Sequence, residues 1–369
     1  MIRRGELYRG QEIFELKMFS IHFLFRFTTQ KILELTFFYD YSQRIRLHTF
    51  KIMIYIALVI LLVGIELIYF KIADRYNIID KPNSRSSHTS VTLRGGGIIF
   101  PIALCIAFFL GYVSWEITLA VLLVATVSFV DDIDPLPQLP RFASHVIAVG
   151  LVFYDLNLFS ESLLWLLPII FVLMIGWVNA FNFMDGINGI TVLYALTGIV
   201  SFSFLSVNES SLPLLITMGL SCFVFGLFNV RKKAKTFAGD VGSISMALFL
   251  GYFMIKTILD TKQLGYILFF SVYGIDAVVT ILNRIKKREN IFEPHRSHLY
   301  QYLANERKFP HVLVSFIYAG LQLFINGLII YMDSQGKLSG FFVIEFLLIL
   351  TLIYLLSRAL ITKDIVQNI

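Results

Sequence analysis

Apolar blocks of about 15–22 residues, almost free of charge, recur along most of this 369-residue chain. A helix rises about 1.5 Å per residue, so such a block covers much or all of the roughly 30 Å hydrocarbon core of a bilayer. Inside that core no water satisfies backbone N–H and C=O groups, so each block must bond within itself as a helix. Composition agrees. With 57% hydrophobic and 15% charged residues, the chain has too little polar surface for a soluble domain, where about a quarter of residues are charged. The expected fold class is all-α: a polytopic membrane helix bundle with about eleven transmembrane helices. The blocks lie at 52–72, 95–112, 115–131, 141–156, 162–181, 188–207, 211–230, 243–259, 264–282, 311–332 and 339–360. Residues 52–369 would form this integral membrane domain, after an N-terminal extension at 1–51.

Lys and Arg set the orientation. The connections 73–94, 131–142, 231–243 and 283–310, with the tail from Arg358, carry 18 of them, against two, Lys262 and Lys337, on the alternate side. The long connections and the C-terminus are therefore expected in the cytoplasm. The first 51 residues carry nine Lys/Arg and conflict with that topology. One reading makes them an amphipathic surface helix, with Phe19, Phe23, Leu24 and Phe27 on one face. The reading preferred here places the natural start at Met53, with translated upstream sequence before it. The two cysteines, Cys105 and Cys222, sit inside apolar blocks, give no metal-ligand spacing, and are expected to pack.

Polar side chains gather in the cytoplasmic connections. Asp131-Asp132 end an apolar run. Adjacent carboxylates there need a cation or a shared proton, and they suit Mg²⁺ or base chemistry; a solvated helix end is the plain alternative. Asn179, Asn182 and Asp185 share one helix face, against the alternative of an ordinary C-cap. Asp240, within Ala238-Gly239-Asp240-Val241-Gly242-Ser243, suits a metal or phosphate at a helix start or a simple cap. His295, Arg296 and His298 offer donors for a diphosphate; a solvated loop or a zinc site competes. Lys81 and Arg85, with Arg94-Gly95-Gly96-Gly97 beyond them, form a basic rim. Asp276, inside the ninth block, is expected to pair with a Lys/Arg or to line a cavity. Glu66, Lys256 and Glu345 read as snorkelling or packing residues. Carboxylates plus cations at one membrane edge fit a metal-bound diphosphate.

Five segments taken in order, DKPNSRSSH…RGGG, SFVDD, NAFNFMDGINGI, FAGDVGS and EPHRSHLYQYL, resemble the signatures of the polyprenyl-phosphate N-acetylhexosamine-1-phosphate transferases, bacterial glycosyl transferase family 4. The resemblance spans about residues 53–360, and the last segment is most similar to the O-antigen, lipopolysaccharide-building branch. It implies transfer of a HexNAc-1-phosphate from a UDP-sugar to undecaprenyl phosphate, with release of UMP, on the cytoplasmic face of the inner (plasma) membrane. It also implies Mg²⁺, with Mn²⁺ an allowed substitute. By the family pattern Asp240 and Asp132 hold the metal, and Asp131 and Asp132 are catalytic. Asn182, Asp185, His295, Arg296 and His298 would bind substrate, with the basic residues Lys81 and Arg85. Where many members have DGxDG, this chain has Asn188 in place of the second acid; Asn188 bonds but carries no charge. UDP-N-acetylhexosamine, undecaprenyl phosphate and the bilayer are the expected partners, with a homodimer allowed and no nucleic acid. The rival class is an ion-coupled membrane transporter using Asp276, Asp131 and Glu66 as relays.

Overall fold

In the computed structural model the described residues are 49–50, 52–82, 87, 90–160, 164–290 and 296–366. Both readings of the N-terminal extension thus lie almost wholly outside them. The chain divides into two units, Met1–Ala57 and Leu58–Ile369. The described residues of the first are helical, and the site lies in the second.

Helices occupy all eleven expected segments. They are α1 (Ile52–Arg75), α2 (Ile99–Phe109), α3 (Trp115–Ile133), α4 (Gln138–Asp155), α5 (Leu167–Phe183), α6 (Ile190–Ser203), α7 (Leu212–Asn229), α8 (Gly239–Thr261), α9 (Ser271–Lys286), α11 (His311–Ser334) and α12 (Gly340–Val366). A short helical turn, α10 (Leu299–Gln301), lies between α9 and α11. Among the described residues, seven helices are long and apolar enough to cross a membrane, and Gly96–Phe109 and Ile190–Ser203 are apolar but shorter. The protein is an all-α, multi-pass membrane protein.

Local chemistry sets the helix ends. The Ser114 hydroxyl accepts the Ile117 N–H at 3.4 Å and caps α3. Proline opens α5 and α7, where its missing N–H costs no helical bond. In a bilayer the helices gain little from hydrophobic sorting, so close packing must hold them together. Helix α8 is the centre of that packing: 78% of its apolar window is buried, against 6% for α12. Gly97 and Gly242 meet backbone to backbone, and a Cβ on either would overlap the other. Aromatic rings fill the space between α5, α6 and α9, with Tyr194 and Tyr273 stacked at 3.5 Å.

A small antiparallel ribbon pairs β1 (Ile79–Asp80) with β2 (Thr92–Leu93). It continues into the segment before α8, where Phe237 N–H donates to Leu93 O at 2.8 Å and Gly96 N–H to Phe237 O at 2.9 Å. The glycine-rich segment is thereby tied to the start of α8. Of the two expectations for Glu66, packing and not snorkelling holds: it is fully buried and lies under Gly96. Lys256 instead pairs with Asp260 at 2.7 Å.

Candidate functional site

Helices alternate in direction, so the C-terminal ends of α3, α5 and α7 meet the N-terminal ends of α4, α6, α8 and α11 at one end of the bundle. A cavity of about 290 Å³ opens there, lined by Asp80, Arg94, Asn182, Asp185, Asp240 and Gln301 among others.

Asp132 sits at the wrong end of its own helix, where the dipole disfavours a carboxylate. The fold resolves this by aiming it at the start of α8. Its Oδ1 accepts the Asp240 N–H at 2.9 Å and its Oδ2 the Val241 N–H at 3.0 Å. Both bonds satisfy donors that have no partner within α8. Gly239 makes this approach feasible, because its φ is +69° and a Cβ would strike the Asp132 carboxylate. Asp132 also pairs with Arg94 Nε at 2.7 Å. Neither Asp131 nor Asp132 is among the residues lining the cavity. Asp131 Oδ1 accepts the Leu136 N–H at 2.7 Å, and Oδ2 lies 3.3 Å from Arg141.

Asp240 faces the cavity. Asn182 Nδ2 donates to its Oδ1 at 3.2 Å and to Ser243 Oγ at 2.8 Å. Arg94 and Arg141 approach its two oxygens, each at 3.6 Å. Burial opposes the Arg94 charge, but Asp132, Asp240 and Asp80 outweigh it and raise the guanidinium's hold on its proton. Asp185 lies in the bend between α5 and α6. Burial pushes its carboxyl up to about 6; the Thr191 hydroxyl, donating at 2.6 Å, works the other way, and Asp240 adds repulsion.

Other expected site residues are distributed unevenly. Arg85 and His295 lie outside the described residues. Lys81 is exposed, and its neighbour Asp80 lines the cavity instead. Arg296 is half-buried and His298 buried, and neither is among the lining residues. The His298 ring turns to Asp276 at 3.1 Å, so the expectation that Asp276 pairs with a Lys/Arg or lines the cavity gives way to a histidine partner. From the same segment Gln301 reaches the cavity. Asn188 Nδ2 donates to Arg231 O at 2.9 Å, which locks the bend without needing charge. Sequence reasoning misses Arg141, Thr191, Asn229 and Gln301. Arg141 reads there only as a loop cation, and Gln301 is visible only inside a longer motif.

Two carboxylates of the cavity wall, Asp185 and Asp240, present oxygen donors within reach of each other's charge. No cluster of three or more metal-ligating side chains occurs among the described residues. That donor set fits Mg²⁺, which favours one or two carboxylates plus substrate phosphates over an all-protein cage.

Residues 114–258, from the cap of α3 to late α8, match the family described as glycosyl transferase family 4. Over that stretch, 145 of the 369 residues, the chain is similar to the family. Among its relatives is a probable undecaprenyl-phosphate N-acetylglucosaminyl 1-phosphate transferase from Bacillus subtilis, 24% identical and covering 63% of this chain and 71% of the relative. An undecaprenyl-phosphate alpha-N-acetylglucosaminyl 1-phosphate transferase from Thermotoga maritima is 28% identical over 66% of this chain and 80% of its own length. The Escherichia coli O157:H7 protein of the same description is 27% identical, over 62% and 70%. The family match encloses Asp131, Asp132, Asn182, Asp185 and Asp240.

Proposed function

We propose that the protein transfers a HexNAc-1-phosphate from a UDP-sugar to undecaprenyl phosphate, releasing UMP, at the cytoplasmic face of the inner membrane. The observation that carries the reading is the convergence of Arg94, Asn182, Asp185, Asp240 and Gln301, from four separate segments, on one cavity. That mixture of acids, amides and a cation suits a diphosphate with its metal, and the named relatives act on undecaprenyl phosphate. The ion-coupled transporter gains nothing from this arrangement, since the carboxylates of the cavity, Asp80, Asp185 and Asp240, gather at one end of the bundle.

In this reading an oxygen of the lipid phosphate attacks the sugar-bearing phosphorus of the donor. The bond to the bridging oxygen breaks, UMP leaves with that oxygen, and the lipid keeps a diphosphate-linked sugar. Asp240 and Asp185 would hold Mg²⁺, which when bound offsets charge on the diphosphate. Arg94 and Arg141 add fixed positive charge beside Asp240, aimed where charge develops. Asn182 orients the Asp240 carboxylate. Asp132 acts by fixing Arg94 and the start of α8, in place of direct metal ligation. Asp131, held by Arg141 and the Leu136 N–H, would align the incoming lipid phosphate. Arg296, with His295 and Arg85, is proposed to reach the donor from the rim; an O-antigen pathway is the proposed setting.

Purified protein incubated with a panel of UDP-HexNAc donors, undecaprenyl phosphate and Mg²⁺ should release UMP, and EDTA should stop it. Absence of UMP with every donor, alongside solute uptake into proteoliposomes, would replace this reading with transport.

A further inference from the structure

The Asp276 carboxylate in α9 is fully buried, and the proposed reaction does not use it. Its Oδ1 receives His298 Nδ1 at 3.1 Å, the Leu299 N–H at 3.2 Å, the Tyr354 hydroxyl at 3.0 Å and the Thr280 hydroxyl at 3.3 Å. Its Oδ2 receives the Tyr318 hydroxyl at 2.6 Å. A carboxylate only accepts, so the His298 nitrogen facing it carries the proton. These donors come from α9 itself, the turn entering α10, α11 and α12. Arg358, one turn beyond Tyr354, donates to the Tyr354 hydroxyl at 2.9 Å, to Thr280 at 3.1 Å and to Ser297 O at 2.8 Å.

The anchored turn leads directly to the cavity. The His298 ring stacks on Tyr300 at 5.7 Å. The Tyr300 hydroxyl donates to Phe183 O at 3.2 Å, two residues before Asp185. Its ring fills the space that a Cβ on Gly186 would need. Gln301 Oε1 accepts the His298 N–H at 3.2 Å, and Gln301 lines the cavity. Every residue of the anchor lies beyond residue 258, where the family match ends.

We infer that Asp276 is a positioning residue: with Tyr354 and Arg358 of α12 it clamps the Ser297–Gln301 turn, keeping Gln301 and the Asp185–Gly186 bend in register at the donor cavity. Helix α12 is otherwise mostly outward-facing; Tyr354 and Arg358 tie it to the turn, and the buried Val343 packs it nearer its start. The kinetic arm of the test rests on the transferase reading, and the structural arm does not.

The test uses the full chain in nanodiscs, with Asp276→Asn as an isosteric change that replaces an acceptor by a donor. KM for the UDP-sugar should rise about tenfold, the equivalent of one lost buried hydrogen bond, while KM for undecaprenyl phosphate stays within twofold. Hydrogen exchange should accelerate at 297–301 and 183–186 and stay unchanged in the middle of α8. A folded Asp276→Asn protein with donor KM within twofold of wild type, or with unchanged exchange at 297–301, overturns the inference. If that variant does not fold, Tyr354→Phe and Arg358→Gln decide by the same two measurements, with changes of about threefold or more expected. If the wild type releases no UMP, the transferase reading fails on its own, and the exchange measurement alone decides this one.

Discussion

At the scale of single residues, the site trades stability for charge. Asp185 is held near 6, above its ordinary 3.8, so the folded state binds its proton more tightly than the unfolded chain does. The sign follows: Asp185 costs nothing below about pH 4, and its penalty grows between about 4 and 6 and persists above. Keeping this carboxyl ionised at neutral pH therefore costs the fold about 3 kcal/mol. Asp185→Asn keeps the Thr191 bond and removes the penalty. It should therefore raise the midpoint of thermal unfolding at pH 7.5 by several degrees, while UMP release falls about 100-fold or more. A thermal-shift series from pH 4 to 8 checks this; a variant no more stable than wild type at pH 7.5 would contradict it. Gly239 is the opposite case, since geometry alone requires it. Gly239→Ala places a Cβ against the Asp132 carboxylate at positive φ, and should cost about 1–3 kcal/mol together with most activity.

At the scale of elements, the start of α8 is capped from another helix. Asp132→Ala leaves two N–H groups of α8 without their acceptor and the Arg94 guanidinium with only its longer contact to Asp240. A loss of about 2 kcal/mol is expected, with Asp132→Asn in between because it keeps one acceptor oxygen. Thermal unfolding of both variants, measured beside UMP release, separates a positioning role from metal ligation: a pure ligand would lose activity with stability unchanged. The same contact marks the limit of what sequence conveys. Apolar block length locates eleven helical segments, because backbone bonding leaves few alternatives, but among the described residues only seven of them are long and apolar enough to cross a membrane. Motif order indicates that Asp131-Asp132, Asn182–Asp185 and Asp240 belong together. Partner choice is not legible, because it is settled by packing between helices far apart in the chain. Spacing alone does not reveal that Asp132 meets two N–H groups over a hundred residues away, that Arg141 bridges Asp131 and Asp240, or that Gln301 reaches the cavity while His298 turns to Asp276.

At the scale of the whole molecule, the distribution of Lys and Arg and the geometry of α11 address the same question independently. Helix α11 starts at the cavity with His311 and runs 24 residues to Ser334, about 36 Å of rise. Lys337, just beyond it, therefore lies at the end of the bundle opposite the cavity, whereas Lys287 lies on the cavity side, between α9 and α10. Both are exposed. With 18 Lys/Arg counted in sequence on one set of connections and the tail, against two on the alternate set, the positive-inside rule predicts a cytoplasmic cavity, which the proposed reaction needs for its soluble nucleotide donor. The native thiols offer little background, since Cys222 is buried and Cys105 half-buried, and both can be replaced by alanine. In that background a membrane-impermeant maleimide added to intact spheroplasts should label Lys337→Cys and leave Lys287→Cys unlabelled until the membrane is permeabilised. The reverse pattern would turn the cavity outward, away from any cytoplasmic nucleotide-sugar, and the proposed reaction would lose its donor whatever the geometry of the site.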